Sequence, residues 1–228
     1  MNTKTAILIF AQSANEELKH KAIYKGKRLF KNLNEQILTT VKSTGLPYFL
    51  YTEAQQYGAT FAERFTNAVS EVYAKGYDAV ITIGNDSPQL QKKHLLQAQK
   101  SLLQKNFVLG PSTDGGFYLM GLRKSLFNRE VFLKLPWQTN RLNNSLLAYI
   151  KTKEVAVTTL STLFDIDTVN DLKAIINHSF LLPEKVRMLL REIVHQNNVK
   201  KQWFCFVDFC KTLYLFISYN KGSPVFSS

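Results

Sequence analysis

Cysteine is almost absent from this chain. Its 228 residues include two cysteines, Cys205 and Cys210, too few for a disulfide framework and at a spacing that matches no metal-binding motif. The four histidines are scattered and form no ligand pair in the sequence. We therefore expect neither a disulfide-stapled secreted domain nor a zinc centre, and we predict a reducing, cytoplasmic setting.

Long apolar runs, repeats and low-complexity linkers are also missing. The apolar stretch after Lys4 is short and is soon followed by Gln12 and two glutamates, so it is better interpreted as a buried strand than as a signal peptide. The length and the 45% hydrophobic content fit one sizeable domain with an extension. We predict a domain over residues 1–177 and a C-terminal extension over residues 178–228, packed on that domain or on a partner.

Acidic residues are in the minority, with 17 Asp and Glu against 29 Lys and Arg, a net charge of +12. Such a charge favours polyanionic partners, among them a nucleoside diphosphate, a nucleic acid or an anionic membrane. No nucleic-acid-binding motif is present, so we predict no nucleic-acid partner. Six basic residues between Lys19 and Lys31 allow two interpretations, a solvated helix face or a patch that faces phosphate.

Short apolar segments alternate with segments of helical spacing along most of the chain. One long helix is predicted from Glu17 to about Ser43, and Thr60 with Glu63 predicts a capping box at the start of another helix. The alternation predicts an α/β fold, with a mostly parallel sheet flanked by helices on both faces.

Two acidic, glycine-containing loops each follow a predicted buried strand. Residues 78–83 lead into Gly84-Asn85-Asp86-Ser87-Pro88, and residues 107–109 lead into a loop that contains Asp114-Gly115-Gly116. In open α/β sheets, ligands bind at the carboxyl ends of the strands. Glycines at positions 115 and 116 would allow a sugar or phosphate to approach the backbone closely.

A third acidic segment, Phe164-Asp165-Ile166-Asp167-Thr168, precedes a predicted helix. Mg2+ prefers oxygen ligands, and Asp86 and Asp167 could hold one ion against a diphosphate leaving group. The alternatives are that Asp86 forms an ordinary turn and that Asp165 or Asp167 caps a helix.

These segments together resemble the bacterial DUF2064 family, which is also described as arsenosugar-biosynthesis-type glycosyltransferases. The resemblance covers roughly residues 5–177, and Leu135-Pro136-Trp137 and the segment from Gln56 to Phe65 contribute to it. It implies a GT-A-like, nucleotide-diphospho-sugar transferase fold, similar also to molybdenum-cofactor and phospholactate nucleotidyltransferases.

The resemblance also implies roles for individual residues. Mg2+ or Mn2+ would be held by Asp86 and Asp167, with Asp165 in support. By its position, and not from the resemblance, Asp114 is the candidate general base if the reaction inverts. Trp137 would offer a stacking face to a sugar, although packing in the core is the equal alternative. The residues implied to bind substrate are Gly84, Asn85, Asp86, Gly115, Gly116, Trp137 and Arg64.

One segment departs from the family pattern. Family members usually carry glycine and arginine in a loop after the first strand, whereas this chain reads Ala11-Gln12-Ser13-Ala14-Asn15-Glu16-Glu17-Leu18-Lys19. A loop that cradles phosphates should not gain acidic groups. Lys19, Lys21, Lys25 and Arg28 are the basic residues that would take over.

The leading hypothesis is a metal-dependent glycosyltransferase that uses a nucleotide-diphospho-sugar and an unknown acceptor. The alternatives are a nucleotidyltransferase of the same fold, disfavoured by the departing loop, and a non-catalytic nucleotide-binding or scaffolding homologue. The aromatic segment from Trp203 to Tyr219 is short for a membrane span, and it suggests packing on the domain, a homodimer contact or a peripheral membrane contact.

Overall fold

A six-stranded sheet forms the centre of the computed structural model, which describes residues 3–178, 182 and 184–218. The strand order is β2-β1-β3-β5-β4-β6. β5 runs antiparallel to both of its neighbours, and all other pairs are parallel. The strands are β1 (Thr5–Phe10), β2 (Tyr48–Tyr51), β3 (Ala79–Ile83), β4 (Phe107–Pro111), β5 (Phe117–Arg123) and β6 (Val157–Thr159).

Helices cover both faces of this sheet. One face packs against α3 and α6 through residues such as Val69 and Leu146, and the other packs against α2 and α4 through Val41 and Leu95. The predicted fold class is therefore confirmed. The helices are α1 (Ala14–His20), α2 (Lys27–Lys42), α3 (Phe61–Ala74), α4 (Lys92–Leu103), α5 (Arg129–Lys134), α6 (Leu142–Lys151), α7 (Val169–His178) and α8 (Glu184–Ser218).

The prediction of one helix over residues 17–43 is wrong. The structure has α1 and α2, separated by a connection in which Lys25 adopts a left-handed φ of 56° and Ile23 is buried. A side chain at Gly26 would lie 2.9 Å from the Ile23 carbonyl oxygen, so the tight turn depends on glycine. The apolar spacing continues through the break because both helices pack on one core, and the spacing therefore concealed the turn. The capping box of Thr60 and Glu63 is present at the start of α3.

The helix α8 packs on the main domain through its first half. Leu190 and Ile193 share a buried cluster with Phe30 of α2 and Leu172 of α7. The boundary at residue 177 stays a prediction. Farther along α8, Trp203 is 70% exposed. Most other side chains of the aromatic segment, and Tyr219, lie outside the described residues. The domain, homodimer and membrane contacts predicted for this segment therefore stay predictions. Within the described part of the chain, no helix is long and apolar enough to cross a membrane.

The strand directions bring the acidic segments to one edge of the sheet. β1, β3, β4 and β6 all point the same way, because β5 is antiparallel to both β3 and β4. Asp86 follows β3, Asp114 follows β4, and Asp167 follows β6. All three loops therefore leave the carboxyl edge, which is where ligands bind in such sheets.

His94, in the first turn of α4, makes the stability of this helix pH-dependent. Its Nδ1 accepts a hydrogen bond from the Gln91 backbone N–H at 3.2 Å, and burial, aided by Lys93, lowers the pKa of His94. A histidine with a lowered pKa in the folded state binds protons more readily when unfolded, so stability is lost as the pH falls below about 6.5. We expect His94→Gln, a neutral capping side chain, to lose less stability between about pH 7.5 and about pH 5.5. Melting curves of both proteins at the two pH values check this, and equal losses would contradict it.

Candidate active site

The loop after β3 is tied to the acidic segment before α7. The Ile166 backbone N–H donates to the Asp86 carbonyl oxygen at 3.0 Å, and the Ser87 hydroxyl donates to the Asp165 carboxylate. The same segment reaches the loop after β4, because the Thr113 N–H donates to the Leu163 carbonyl oxygen at 3.1 Å. Residues 163–167 therefore fasten the two acidic loops to each other.

Asp86 and Asp167 converge on one cation, and that cation is the Lys21 ammonium. Lys21 Nζ lies 3.2 Å from Asp86 Oδ2, 3.2 Å from Asp167 Oδ1 and 3.2 Å from Glu17 Oε2. The side chains of Lys21 and Glu17 are 11% and 5% exposed, whereas those of Asp86 and Asp167 are 31% and 52% exposed. The cluster therefore has a buried half on α1 and an accessible half on the loops.

The burial of this cluster shifts its ionisation. Burial opposes the charge of Lys21, but Asp86, Glu17 and Asp167 outweigh it and raise the pKa of the ammonium. Burial raises the pKa of Glu17 despite the attraction of Lys21, and burial together with the charge of Asp86 raises the pKa of Asp165 to about 7. Lys21 therefore stays charged. The two buried acids, Glu17 and Asp165, are protonated more readily than free carboxylic acids.

The loop that contains Asp114 is held by its own side chain. Asp114 Oδ1 accepts from the Ser112 hydroxyl at 2.6 Å and from the Gly116 N–H at 2.8 Å. Gly115 has a φ of 92°, and a side chain there would lie 2.7 Å from Asn140 Cα. Asp114 itself is exposed. Its role as a base stays a prediction.

The other predicted binding residues lie around this edge in different settings. Asn85 is buried and donates to the Gln12 carbonyl oxygen at 3.1 Å, which ties the loop to the end of β1. Trp137 packs on Phe65 and donates its indole N–H to the Phe132 carbonyl oxygen at 2.6 Å, so a core role accounts for its position. Arg64 donates to the Ala59 carbonyl oxygen at 3.5 Å. Within the described part of the chain, the hydrogen bonds and ring contacts of Trp137 and Arg64 do not involve Asp86, and the substrate roles of both residues stay predictions.

A divalent ion fits this arrangement poorly. Mg2+ and Ca2+ take oxygen ligands at about 2.0–2.6 Å, and one oxygen of each carboxylate, Asp86 Oδ2 and Asp167 Oδ1, is already paired with the Lys21 ammonium. Among the described residues, no group of three or more His, Cys, Asp or Glu side chains is arranged to hold a metal ion. The residues present therefore suit an ammonium between the two carboxylates.

Sequence reasoning named Lys21 as one of four basic candidates and did not name Glu17 as a site residue. The signal that distinguishes them is the spacing of four residues, which places an acid and a lysine on the same side of a helix. The other three candidates lie elsewhere: Lys19 pairs with Glu16, Lys25 lies over the Tyr24 ring, and Arg28 pairs with Glu192.

Two cavities of about 450 and 440 Å3 lie where α8 meets the connection between α1 and α2. The second is lined by Lys21, Tyr24 and Asn197, among others. Neither is lined by Asp86 or Asp114. The candidate site is therefore identified by its carboxylates and by their place at the carboxyl edge of the sheet, and not by the volume of a cavity.

Solved structures share this fold. A protein from Desulfovibrio desulfuricans G20, provisionally described as a nucleotide-diphospho-sugar transferase, is 22% identical over 86% of this chain and 98% of its own, with a TM-score of 0.72. Two other structures are less similar. Rv0371C of Mycobacterium tuberculosis H37Rv, in complex with manganese, is 11% identical over 78% of this chain and 100% of its own, with a TM-score of 0.44. A cytidylyltransferase from Leptospira borgpetersenii is 15% identical over 87% of this chain and 96% of its own, with a TM-score of 0.42. The fold of the chain is therefore that of the Desulfovibrio protein.

No curated protein matches the sequence significantly. A family model does match it, over residues 39–139, and this model is DUF2064, described as an uncharacterized protein conserved in bacteria. The matched residues run from the second half of α2 to the loop after α5 and include Asp86 and Asp114. The resemblance of this chain to the DUF2064 family is thereby confirmed over residues 39–139.

Proposed function

We propose that the protein is a transferase that acts on a nucleotide-diphospho-sugar at the carboxyl edge of the sheet. The observation that carries the proposal is the meeting of Asp86 and Asp167 around one positive charge, on loops that follow parallel strands. This is the arrangement expected where a diphosphate is held against a cation. The likeness in fold to the Desulfovibrio protein supports the same activity class.

Catalysis at such a site consists mostly of positioning and of charge stabilisation. A cation beside the diphosphate stabilises the negative charge that develops on the leaving nucleoside diphosphate, and the glycine loop after β4 lines the pocket for the sugar or the acceptor. Asp114 has one carboxylate oxygen engaged within the loop, which fixes its direction, and one oxygen left to accept a proton. The predicted cytoplasmic location agrees with this substrate class and stays a prediction.

The cation of this site has two candidates. The family resemblance implies Mg2+ or Mn2+ between Asp86 and Asp167, and the structure offers the Lys21 ammonium at the same place. The proposed transferase activity requires a positive charge there and does not depend on which of the two supplies it.

The segment after β1 argues against a nucleotidyltransferase. By lacking a loop for phosphates, it favours a second candidate function, that of a non-catalytic homologue. A nucleotidyltransferase needs a glycine-rich basic loop for the triphosphate, whereas this chain has α1, with Glu16 and Glu17 in its first turn. The Ser13 N–H that precedes α1 donates to the Glu53 carboxylate at 2.8 Å, so this helix start already faces an acid. Pyrophosphate release from a nucleoside triphosphate would contradict this argument.

Ligand-induced stabilisation tests the donor site. We expect nucleoside diphosphates or their sugar conjugates to raise the melting temperature, because a ligand at about 100 times its Kd stabilises by about 2.7 kcal/mol. In Asp86→Asn the shift should fall where Asp86 holds a metal ion and rise where the Lys21 ammonium is the cation, because the change then removes a negative charge beside the diphosphate. Asp78→Asn is the matched control, because Asp78 precedes β3 at the opposite edge and accepts a hydrogen bond from the Lys4 N–H.

Each shift is measured against the same variant without ligand, in a chelator and again with Mn2+. A shift that is unchanged in Asp78→Asn and altered in Asp86→Asn supports the proposed donor site. No shift with any nucleotide in any condition would contradict it. Turnover then separates an enzyme from a binding protein, because a transferase must release free nucleoside diphosphate from the sugar conjugate.

The glycine loop after β4 makes a prediction about the sugar. In Gly115→Ala, the new methyl group would meet the Asn140 backbone at 2.7 Å, so the loop must move. We expect this variant to keep most of the shift caused by a nucleoside diphosphate and to lose the additional shift caused by its sugar conjugate. Gly45→Ala is the control, since Gly45 has a similar positive φ of 74° but nothing within 4 Å of the added group.

Both alanine variants pay the strain of a left-handed residue, about 1 kcal/mol, and only Gly115→Ala adds the collision with the backbone. Comparison of their melting temperatures without ligand therefore isolates the collision. An unchanged response to the sugar conjugate in a demonstrably less stable Gly115→Ala protein would show that this loop does not contact the sugar.

A further inference from the structure

We propose that Lys21, at the C-terminal end of α1, is the cation that occupies the Asp86–Asp167 pair. It takes the place where a divalent ion is expected, so the folded protein takes up no Mg2+ or Mn2+ at this pair. The assignment of the cation rests on the geometry of four side chains. The use of that cation against a diphosphate rests on the proposed function.

The Lys21 ammonium is surrounded by three carboxylates. Its Nζ donates a hydrogen bond to Asp86 Oδ2 at 3.2 Å, and the carboxylates of Glu17 and Asp167 form ion pairs with it at the same distance. They come from three separate parts of the chain, since Glu17 lies on α1, Asp86 after β3 and Asp167 before α7. A lysine that is so deeply buried is held by these partners and not by solvent.

The helix α1 fixes this lysine from both ends. At its start, the Ser13 hydroxyl accepts from the Glu16 N–H at 3.3 Å, and at its end the Lys21 N–H donates to the Glu17 carbonyl oxygen at 2.9 Å. Glu17 and Lys21 therefore lie one turn apart and form an ion pair directed at the loops. The segment that departs from the family pattern, Ala11 to Lys19, contains Glu17 of this pair and ends two residues before Lys21.

A divalent ion bound between Asp86 and Asp167 would lie close to the Lys21 ammonium, which already pairs with one oxygen of each. Because the two positive charges repel, the ion would have to displace the ammonium. Displacement leaves Glu17, whose side chain is 5% exposed, without its only cation within 4 Å among the described residues. A carboxylate buried without a partner is strongly disfavoured. The cost of stranding Glu17 thus opposes uptake of a metal ion at the pair.

Mn2+ titration followed by electron paramagnetic resonance, which detects the free ion, tests this without nucleotide. We expect the wild type to show no Mn2+ binding that depends on Asp86. We expect Lys21→Met to bind one ion at least roughly tenfold more tightly than any residual binding by the wild type. Lys21→Met/Asp86→Asn should lose that ion again. Lys19→Met is the matched control, because Lys19 is exposed on the same helix and pairs only with Glu16.

Two outcomes would overturn the proposal. One is Mn2+ binding by the wild type that Asp86→Asn abolishes, and the other is a folded Lys21→Met protein that still binds no Mn2+. If Lys21→Met fails to fold, Lys21→Met/Glu17→Gln removes the stranded acid together with its partner and is titrated in its place. Since no nucleotide is present, these results stand apart from the test of the transferase function, which fails only through its nucleotide and turnover measurements.

Discussion

The contact of the Lys21 ammonium with three carboxylates determines how the carboxyl edge of this protein is assembled. It joins α1 to the loop after β3 and to the segment before α7, which share no strand pairing with one another. Lys21 and Glu17 are deeply buried, and loss of either one would leave the other as an uncompensated buried charge. Each of the three segments is therefore constrained by the other two.

The sheet provides the frame for that contact. Because β5 lies between β3 and β4 and opposes both, two strands distant in sequence deliver their following loops to the same edge. The segment after β6 then crosses this edge, held by Ile166, whose side chain is fully buried and whose N–H bonds the Asp86 carbonyl oxygen. Ile166 also belongs to the cluster that holds α7 and α8, so the acidic edge and the C-terminal helix share one core.

The sequence was sufficient to predict the fold class and the approach of Asp86 to Asp167, because apolar spacing identifies strands and the edge rule says where their loops meet. It was insufficient for Lys21. Helical spacing of apolar residues does not reveal a turn when the helices on both sides of it pack against the same core. The connection over residues 21–26 is such a turn. The orientation of β5 and the packing of Trp137 were hidden for a related reason, since both are decided by partners distant in the sequence.

A tethered ammonium and a bound divalent ion differ in what they can do for a diphosphate. The ammonium is always present, because it is part of the chain and its pKa is raised, so the site needs no metal from solution. It carries one positive charge instead of two, and three carboxylates already share it. At the proposed donor site, its stabilisation of a leaving nucleoside diphosphate would therefore be weaker than that of a metal ion. A second positive charge would have to come from a basic group of the acceptor or of the substrate.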